Sequence, residues 1–356
     1  METTTTTLTT LAGPREFHRL TLDVRAAGLL DRRLGYYWVK VILTLAAFGA
    51  GWAGFVILGA SWATLAIAVF LGVAATQLGF IGHDAGHRQI FESRRANRLL
   101  GLGVGNALIG MSFGWWVPKH NAHHAHPNER GVDPDIGPGL PVANGRQAGG
   151  PPPAKQGGVG GWLGRHQAAL FFPLMLLRST GLYVSGFQDV YRRRRDRSVI
   201  TEGLLLVGHA ALYATVVFWV LSPLKAVAFI AVHQAAFSLY LGCSFAPNHK
   251  GMPILEDGTE MSFARRQVVT ARNLSGGRLT NFLFGGLNYQ IEHHLFPTMP
   301  RPNLARAQSM VRAFCRENQL GYAEARPVAS YVQAVRALKT PAALPIPTSV
   351  PVPATL

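Results

Sequence analysis

Four stretches of this chain are long and apolar enough to cross a lipid bilayer, which takes about 20 residues. They cover residues 37–58, 62–81, 204–221 and 224–245. In hydrocarbon no water satisfies backbone N–H and C=O groups, so each such stretch must be helical. The first two are separated only by residues 59–61, and the last two only by Ser222 and Pro223. Connections that short predict two tight helical hairpins. The expected fold is all-α and integral to a membrane, with four transmembrane helices as two hairpins. Composition agrees: 15% of residues are charged, where a soluble domain carries about 25%.

The net charge is +16. A basic balance suits nucleic acid, anionic lipid or an acidic protein. The apolar runs decide for lipid, so membrane lipids and no nucleic acid are expected as partners. Orientation follows from where Lys and Arg lie, since cytoplasmic loops carry the excess. The hairpin tips hold almost none, Lys225 being the exception. The other side holds Arg15, Arg19, Arg25, Arg32, Arg33, Arg88, Arg94, Arg95, Arg98, Arg192–Arg195, Arg197, Arg265, Arg266, Arg272 and Arg278. Both termini and the long central segments are therefore expected in the cytoplasm.

Two further apolar stretches, residues 99–116 and 168–187, are short or interrupted by Gly, Pro173 and Arg178. They are expected as interfacial helices. Residues 132–161 are rich in Pro and Gly and read as a loop. The Thr-rich residues 1–14 and the Pro-rich residues 341–356 read as disordered tails around one domain, 15–340. Only two cysteines occur, Cys243 and Cys315, in no paired spacing. Thiolate metal sites have no support.

Seven of the 13 histidines fall in three groups. The first is His83-Asp84-Ala85-Gly86-His87. The second is His120-Asn121-Ala122-His123-His124. The third is Gln290-Ile291-Glu292-His293-His294. Helical positions i, i+3 and i+4 share a face, so each group turns two or three side chains the same way. Neutral imidazole binds iron, copper, zinc and nickel. Seven imidazoles exceed one tetrahedral zinc site and suit two metals. No His-Glu-x-x-His sequence is present to suggest a zinc protease. All three groups follow spans on the side read as cytoplasmic. A cytoplasmic helical cap carrying a di-metal site is therefore expected.

His249, at the end of the fourth span, is a candidate eighth ligand. Gln290, Asp84 and Glu292 are candidates to bind metal or orient the imidazoles, as are Asp133 and Asp135 for orientation. His126 has weaker support as a ligand. His209 and His233 lie inside spans, where interhelical hydrogen bonds are expected. Trp116, Lys119 and Tyr289 flank the groups and are candidates to meet substrate or a redox partner.

The groups resemble the histidine boxes of the membrane fatty acid desaturase family. The match is close in His83–His87, in Trp116-Val117-Pro118-Lys119-His120-Asn121-Ala122-His123-His124-Ala125-His126-Pro127-Asn128, and in Asn288-Tyr289-Gln290-Ile291-Glu292-His293-His294-Leu295-Phe296-Pro297. The resemblance runs over roughly residues 15–335. It implies two iron ions held by the box histidines and His249, and by Asn248 through water, with O₂ as co-substrate. It further implies a fatty acyl-CoA or acyl-lipid substrate. The third box, opening with Gln, is similar to the front-end branch, which desaturates between an existing double bond and the carboxyl end. Members of that branch often carry a fused cytochrome domain marked His-Pro-Gly-Gly, which this sequence lacks. Electrons are then expected from a separate ferredoxin- or cytochrome-type donor with its reductase. Bacterial members of the branch are the nearest overall match, which implies a bacterial plasma membrane. A hydroxylase or ketolase on the same scaffold is the rival enzyme reading, and a non-enzymatic membrane metal-binding protein the other.

Overall fold

A computed structural model describes residues 12–136, 162–163, 165–196 and 199–339. Almost all of the two expected tails, most of the Pro- and Gly-rich loop and Arg197 lie outside the described residues. In chain order the elements are α1 (Pro14–Ala26), α2 (Leu34–Leu58), α3 (Thr64–Gly86), α4 (Arg94–Gly101), a π-helix (Leu102–Leu108), α5 (Phe113–Ala125), α6 (Phe171–Met175), α7 (Arg178–Arg192), α8 (Ile200–Val220), α9 (Pro223–His249), α10 (Phe263–Val269), β1 (Asn273–Leu274), α11 (Arg278–Leu283), α12 (Gln290–Leu295), α13 (Arg301–Glu317), β2 (Glu324–Ala325) and α14 (Pro327–Lys339). They fall into two units: Arg32–His120 with Ala169–Ser244, and the remainder.

The first unit holds the long apolar helices. α2, α3, α8 and α9 are each long and apolar enough to cross a membrane. They carry apolar side chains outward: Ile57 is 83% exposed and Trp219 is 75% exposed, the signature of a surface meant for lipid rather than water. Each helix differs by a few residues from its expected span. The difference matters for α3, which runs on to Gly86 and so carries His83 within its last turn.

α2 packs on α3 across the link of residues 59–63. Gly59 turns the chain with φ +55°, a conformation that costs glycine little. Lys225, the one cation at the hairpin tips, donates to the Ala60 carbonyl. Within the unit Phe55 meets Phe229 at 4.5 Å between ring centroids, and Trp52 meets Tyr213 edge-on at 5.7 Å. Several polar groups pair across the helices. Lys40 Nζ donates to Gln77 Oε1 at 2.6 Å, and Gln77 Nε2 donates to the Tyr240 hydroxyl at 2.7 Å. As expected, the histidines inside the spans bond between helices. His233 Nδ1 lies 2.9 Å from the Tyr213 hydroxyl, and His209 Nδ1 donates to the Ala107 carbonyl at 3.0 Å.

Residues 99–116 do not form the single helix expected of them. α4 runs into the π-helix, the chain turns through Gly110 at φ +69°, and α5 leaves at 115° to the first segment. Asn106 bridges the break: its Oδ1 accepts from the Phe113 N–H at 2.9 Å. The expected helix over 168–187 is likewise two, α6 and α7, broken just before Arg178.

The second unit has its own apolar core. Leu20 and Val24 of α1, Val268 of α10, Ile291 of α12, and Leu304, Val311 and Phe314 of α13 meet in it. β1 pairs in parallel with β2, Asn273 opposite Glu324. Of the arginines counted above for orientation, Arg265 and Arg272 are buried here. Of the two, Arg272 donates to the Pro247 and Lys250 carbonyls.

The α3–α9 contact in the first unit yields a test. A Cβ on Gly72 would stand 2.8 Å from both Ala236 Cβ and the Phe237 backbone nitrogen, so neither helix can give way cheaply. We expect Gly72→Val to cost about 1–3 kcal/mol by overpacking and to lower the apparent melting temperature in detergent. An unchanged melting temperature would mean that α3 and α9 are looser than this.

Candidate metal centre

Each unit gathers histidines. In the first, His83 and His87 stand one turn apart at the end of α3, with ring centroids at 4.7 Å. His120 of α5 reaches both: its Nε2 lies 3.2 Å from His83 Nε2, and its ring is 4.9 Å from that of His87. Ligand atoms of the three lie within 4.8 Å of one another. His83 Nδ1 faces Asp84 Oδ1 at 3.3 Å, so Nε2 is the nitrogen turned to the group. Trp116 stacks on His120 at 4.4 Å. A Cβ on Gly86 would come within 2.7 Å of the same indole, so the glycine of the first box is the space the indole occupies.

In the second unit His123, His249 and His294 form a group of the same compactness. The proton on each ring can be placed from its neighbours. His123 Nδ1 faces Asp133 Oδ2 at 2.9 Å. His249 Nδ1 faces the Thr270 carbonyl at 3.0 Å. His294 Nδ1 faces Gln267 Oε1 at 2.9 Å. All three partners are acceptors, so each Nδ1 carries the proton and each Nε2 keeps a lone pair, the tautomer fixed by the partner. The acceptors are themselves held. Asp133 accepts from the Asn128 N–H at 2.8 Å and the Asp135 N–H at 2.8 Å. Gln267 Nε2 donates to the His124 carbonyl at 2.9 Å, which turns its oxygen toward His294. His124 stacks on His294 at 4.2 Å, and His293 meets His124 edge-on at 4.8 Å.

His123, Asp133 and Asp135 also come close enough to be counted as a metal-binding group. The hydrogen bonds argue otherwise. Asp133 is spent on two backbone N–H groups and an imidazole, the pattern of an orienting carboxylate. Three neutral imidazoles are a donor set for a first-row transition ion.

A second layer of bonds pins the end of α9. Asn128, at φ +55°, donates through Nδ2 to the carbonyls of His249 at 3.2 Å and Pro253 at 3.1 Å. Arg272 donates to the Pro247 and Lys250 carbonyls at 2.6 Å and 2.7 Å. Burial holds its pKa down to about 10, so it stays charged at neutral pH, where a cation suits a helix C-terminus.

Comparison with known proteins bears on the same residues. The profile of the fatty acid desaturase family matches residues 60–326, a segment that contains all three histidine groups. The chain belongs to the fatty acid desaturase family. It is 31% identical over 317 residues to an acyl-lipid (9-3)-desaturase of Physcomitrium patens, covering 85% of this chain and 58% of that protein. It is 32% identical to a Delta(5) fatty acid desaturase of Caenorhabditis elegans, over 86% of this chain and 69% of that one. It is 30% identical to a Delta(8)-fatty-acid desaturase of Euglena gracilis, over 86% and 74%. The chain thus spans under two thirds of the moss protein's length.

Among the remaining candidates, the structure places Gln290 and Asn248 beside His249, with Gln290 Nε2 3.0 Å from His249 Nε2. Glu292 is turned elsewhere. Its oxygens accept from Asn273 Nδ2 and the Tyr322 hydroxyl, both at 2.7 Å, and burial raises its pKa despite those bonds. Adjacent helical residues point about 100° apart, which sends Glu292 to the β1 side. Tyr289 packs against the apolar core of the second unit. His126 Nδ1 faces buried Glu129 at 2.8 Å, and Glu129 pairs with Arg266, so His126 is bonded into that ion pair. Lys119 is half-buried. Gln267, Thr270, Asn128, Asn273 and Tyr322 were not singled out from sequence. Asn128 closes the second box and so had a signal; Gln267, within α10, and Thr270, directly after it, had none.

Orienting groups of this kind typically contribute about 10–100-fold to metal affinity. We expect Gln267→Leu and Asp133→Asn each to weaken metal retention by that factor in a chelator-competition titration of the detergent-purified chain. Retention equal to wild type in both would deny these residues an orienting role. Tyr322→Phe, which removes one donor from buried Glu292, should instead lower thermal stability and leave metal retention within about twofold, since the cost is an under-bonded acceptor.

Proposed function

We propose that this chain is a membrane-embedded fatty acid desaturase that inserts a cis double bond into a fatty acyl chain, using O₂ and two electrons. The observation that carries the reading is the set of three imidazoles whose Nδ1 protons are all spent on acceptors, in a chain of this family. We assign two iron ions to His83, His87, His120, His123, His124, His249, His293 and His294. Iron would supply what side chains lack, an oxidant strong enough to break an unactivated methylene C–H bond. The chain's own residues then have three tasks. The acceptors Asp133, Thr270 and Gln267 keep the imidazoles in the ligating tautomer. Trp116 and the buried surroundings of the boxes exclude water. Apolar side chains of the bundle hold the acyl chain in line.

The membrane reading rests on the four long helices, proposed here as two transmembrane hairpins, with α4–α7 partly at the interface. In the first unit the Lys225–Ala60 contact marks one end. Arg98 and Arg193, which pair with Glu202, mark the other, where the arginines collect. We place that end, the boxes and both termini in the cytoplasm. The relatives reported above are eukaryotic, and nothing in them supports a bacterial plasma membrane. Gln290 at the head of the third box, with Delta(5) and Delta(8) enzymes among the relatives, supports front-end regiochemistry on an acyl-CoA or acyl-lipid. The exposed Arg192, Arg194 and Arg195 suit an acidic donor of ferredoxin or cytochrome type.

Expression in a host of known fatty acid composition, followed by gas chromatography–mass spectrometry, tests the reading. A new acyl species lighter by two hydrogens is expected, and its loss in His123→Ala. A species heavier by one oxygen would make the enzyme a hydroxylase. The purified chain should carry about two irons, and removing them should abolish turnover.

A further inference from the structure

The third box opens with Gln290 where a ligand would be the obvious reading. The hydrogen bonds around it give its amide a definite direction, and that direction can be derived from two backbone carbonyls, whose acceptor character cannot change. Asn248 has one side-chain atom 2.7 Å from the Leu287 carbonyl, so that atom is its NH₂. The same NH₂ lies 2.9 Å from one end of the Gln290 amide, so that end is Oε1. The other end, the NH₂ of Gln290, is then the atom 3.0 Å from His249 Nε2. Independently, His249 Nδ1 must carry a proton because it faces the Thr270 carbonyl, so His249 Nε2 is an acceptor. The two derivations start at different carbonyls and meet at Gln290 N–H to His249 Nε2 with donor facing acceptor.

The opposite orientation fails. Turning Asn248 over would set its oxygen 2.7 Å from the Leu287 oxygen and break both of its bonds. The observed orientation leaves only Asn248 Oδ1 without a hydrogen bond, the smaller cost. Gln290 itself is buried, 2% exposed, on the helix whose next turn carries His293 and His294. An amide nitrogen has no lone pair to give a metal.

We infer that Gln290 is not a metal ligand but a hydrogen-bond donor, its NH₂ aimed at the position beside His249 Nε2 where a small oxygen or nitrogen ligand from solvent would sit. Were a metal to take the His249 lone pair, the Gln290 NH₂ would be left to donate to another acceptor, with Asn248 holding the amide in place. The partner it would fit is a small anion or a lone-pair-bearing molecule. The inference rests on the iron reading given above and adds what that reading leaves open, the role of the one box position that is not histidine.

The test uses the full chain, purified in detergent and loaded with iron, with two readouts other than turnover: iron per chain and the affinity for azide followed by its charge-transfer absorption. Gln290→Ala is expected to keep the wild-type iron content and to bind azide about tenfold or more weakly, the size of a hydrogen bond to a charged group. Gln290→Glu keeps an oxygen for Asn248 to donate to but turns an acceptor toward the site. It should keep its iron and also lose azide affinity, and it decides the matter if the alanine variant does not fold. Loss of about one iron in Gln290→Ala, or unchanged azide affinity in either variant, would overturn the inference while leaving the iron reading intact. A wild-type chain that takes up no iron would sink both.

Discussion

A buried imidazole has one proton and two nitrogens, and the ligating nitrogen is lost unless the proton is kept on the other. Everything else in the second unit follows from meeting that condition three times. A buried N–H left unbonded costs about 1–3 kcal/mol, enough for a ring to flip or swap tautomers if no acceptor were waiting. Here each acceptor is either backbone or fixed by backbone: the Thr270 carbonyl directly, Gln267 by its own donation to the His124 carbonyl, Asp133 by two backbone N–H groups. The direction of each of these three imidazoles is thus inherited from main chain, which cannot change its donor and acceptor assignments.

That places unusual demands on the segment from α10 to β1, since it supplies two of the three acceptors. The segment is tied down at its β1 end. Arg272, directly before β1, spends its charge on carbonyls at the end of α9, and its backbone N–H donates to the Asn248 carbonyl at 2.9 Å. Asn273 then accepts from the Ile291 N–H at 2.9 Å and donates to Glu292, which joins β1 to the start of α12. A buried arginine and a buried glutamate are poor contributors to net stability. Their use here is registration: α9, β1 and α12 carry His249, Asn273 and His294, and a slip in any of the three would separate an imidazole from its acceptor.

The parts of this design that repeat at a short period were readable in sequence. The four spans and the three boxes are such patterns: an apolar run of fixed length, and imidazoles three and four residues apart. His249 was readable by position, at the end of a span. The orienting groups were not, because Gln267 lies 27 residues from His294 and nothing in Phe263–Val269 distinguishes a glutamine that aims an oxygen from one that faces solvent. Glu292 shows the reverse error. Adjacency to two histidines suggested that it serves them, yet one residue along a helix is a different direction. Arg265 and Arg272 were read only as charge, because composition cannot tell a buried cation from an exposed one.

The stretch over residues 99–116 shows how composition misleads when glycine is read only as a helix breaker. Its glycines suggested a weak interfacial helix. In the structure Gly101 is where the Phe113 ring lies, and Gly114 is where the carboxylate of Glu202 lies. A side chain at either position would collide with these groups, so the glycines mark where the chain folds back on itself. Glu202 is buried and also meets Arg98 at 3.2 Å, which fixes α4 and the start of α5 to one residue of α8. α5 carries His120 and Trp116, and the 115° bend is therefore the device that aims these two side chains toward His83 and His87. Small residues and one buried acid set that angle, and each is explicable only once the partner from another part of the chain is in view.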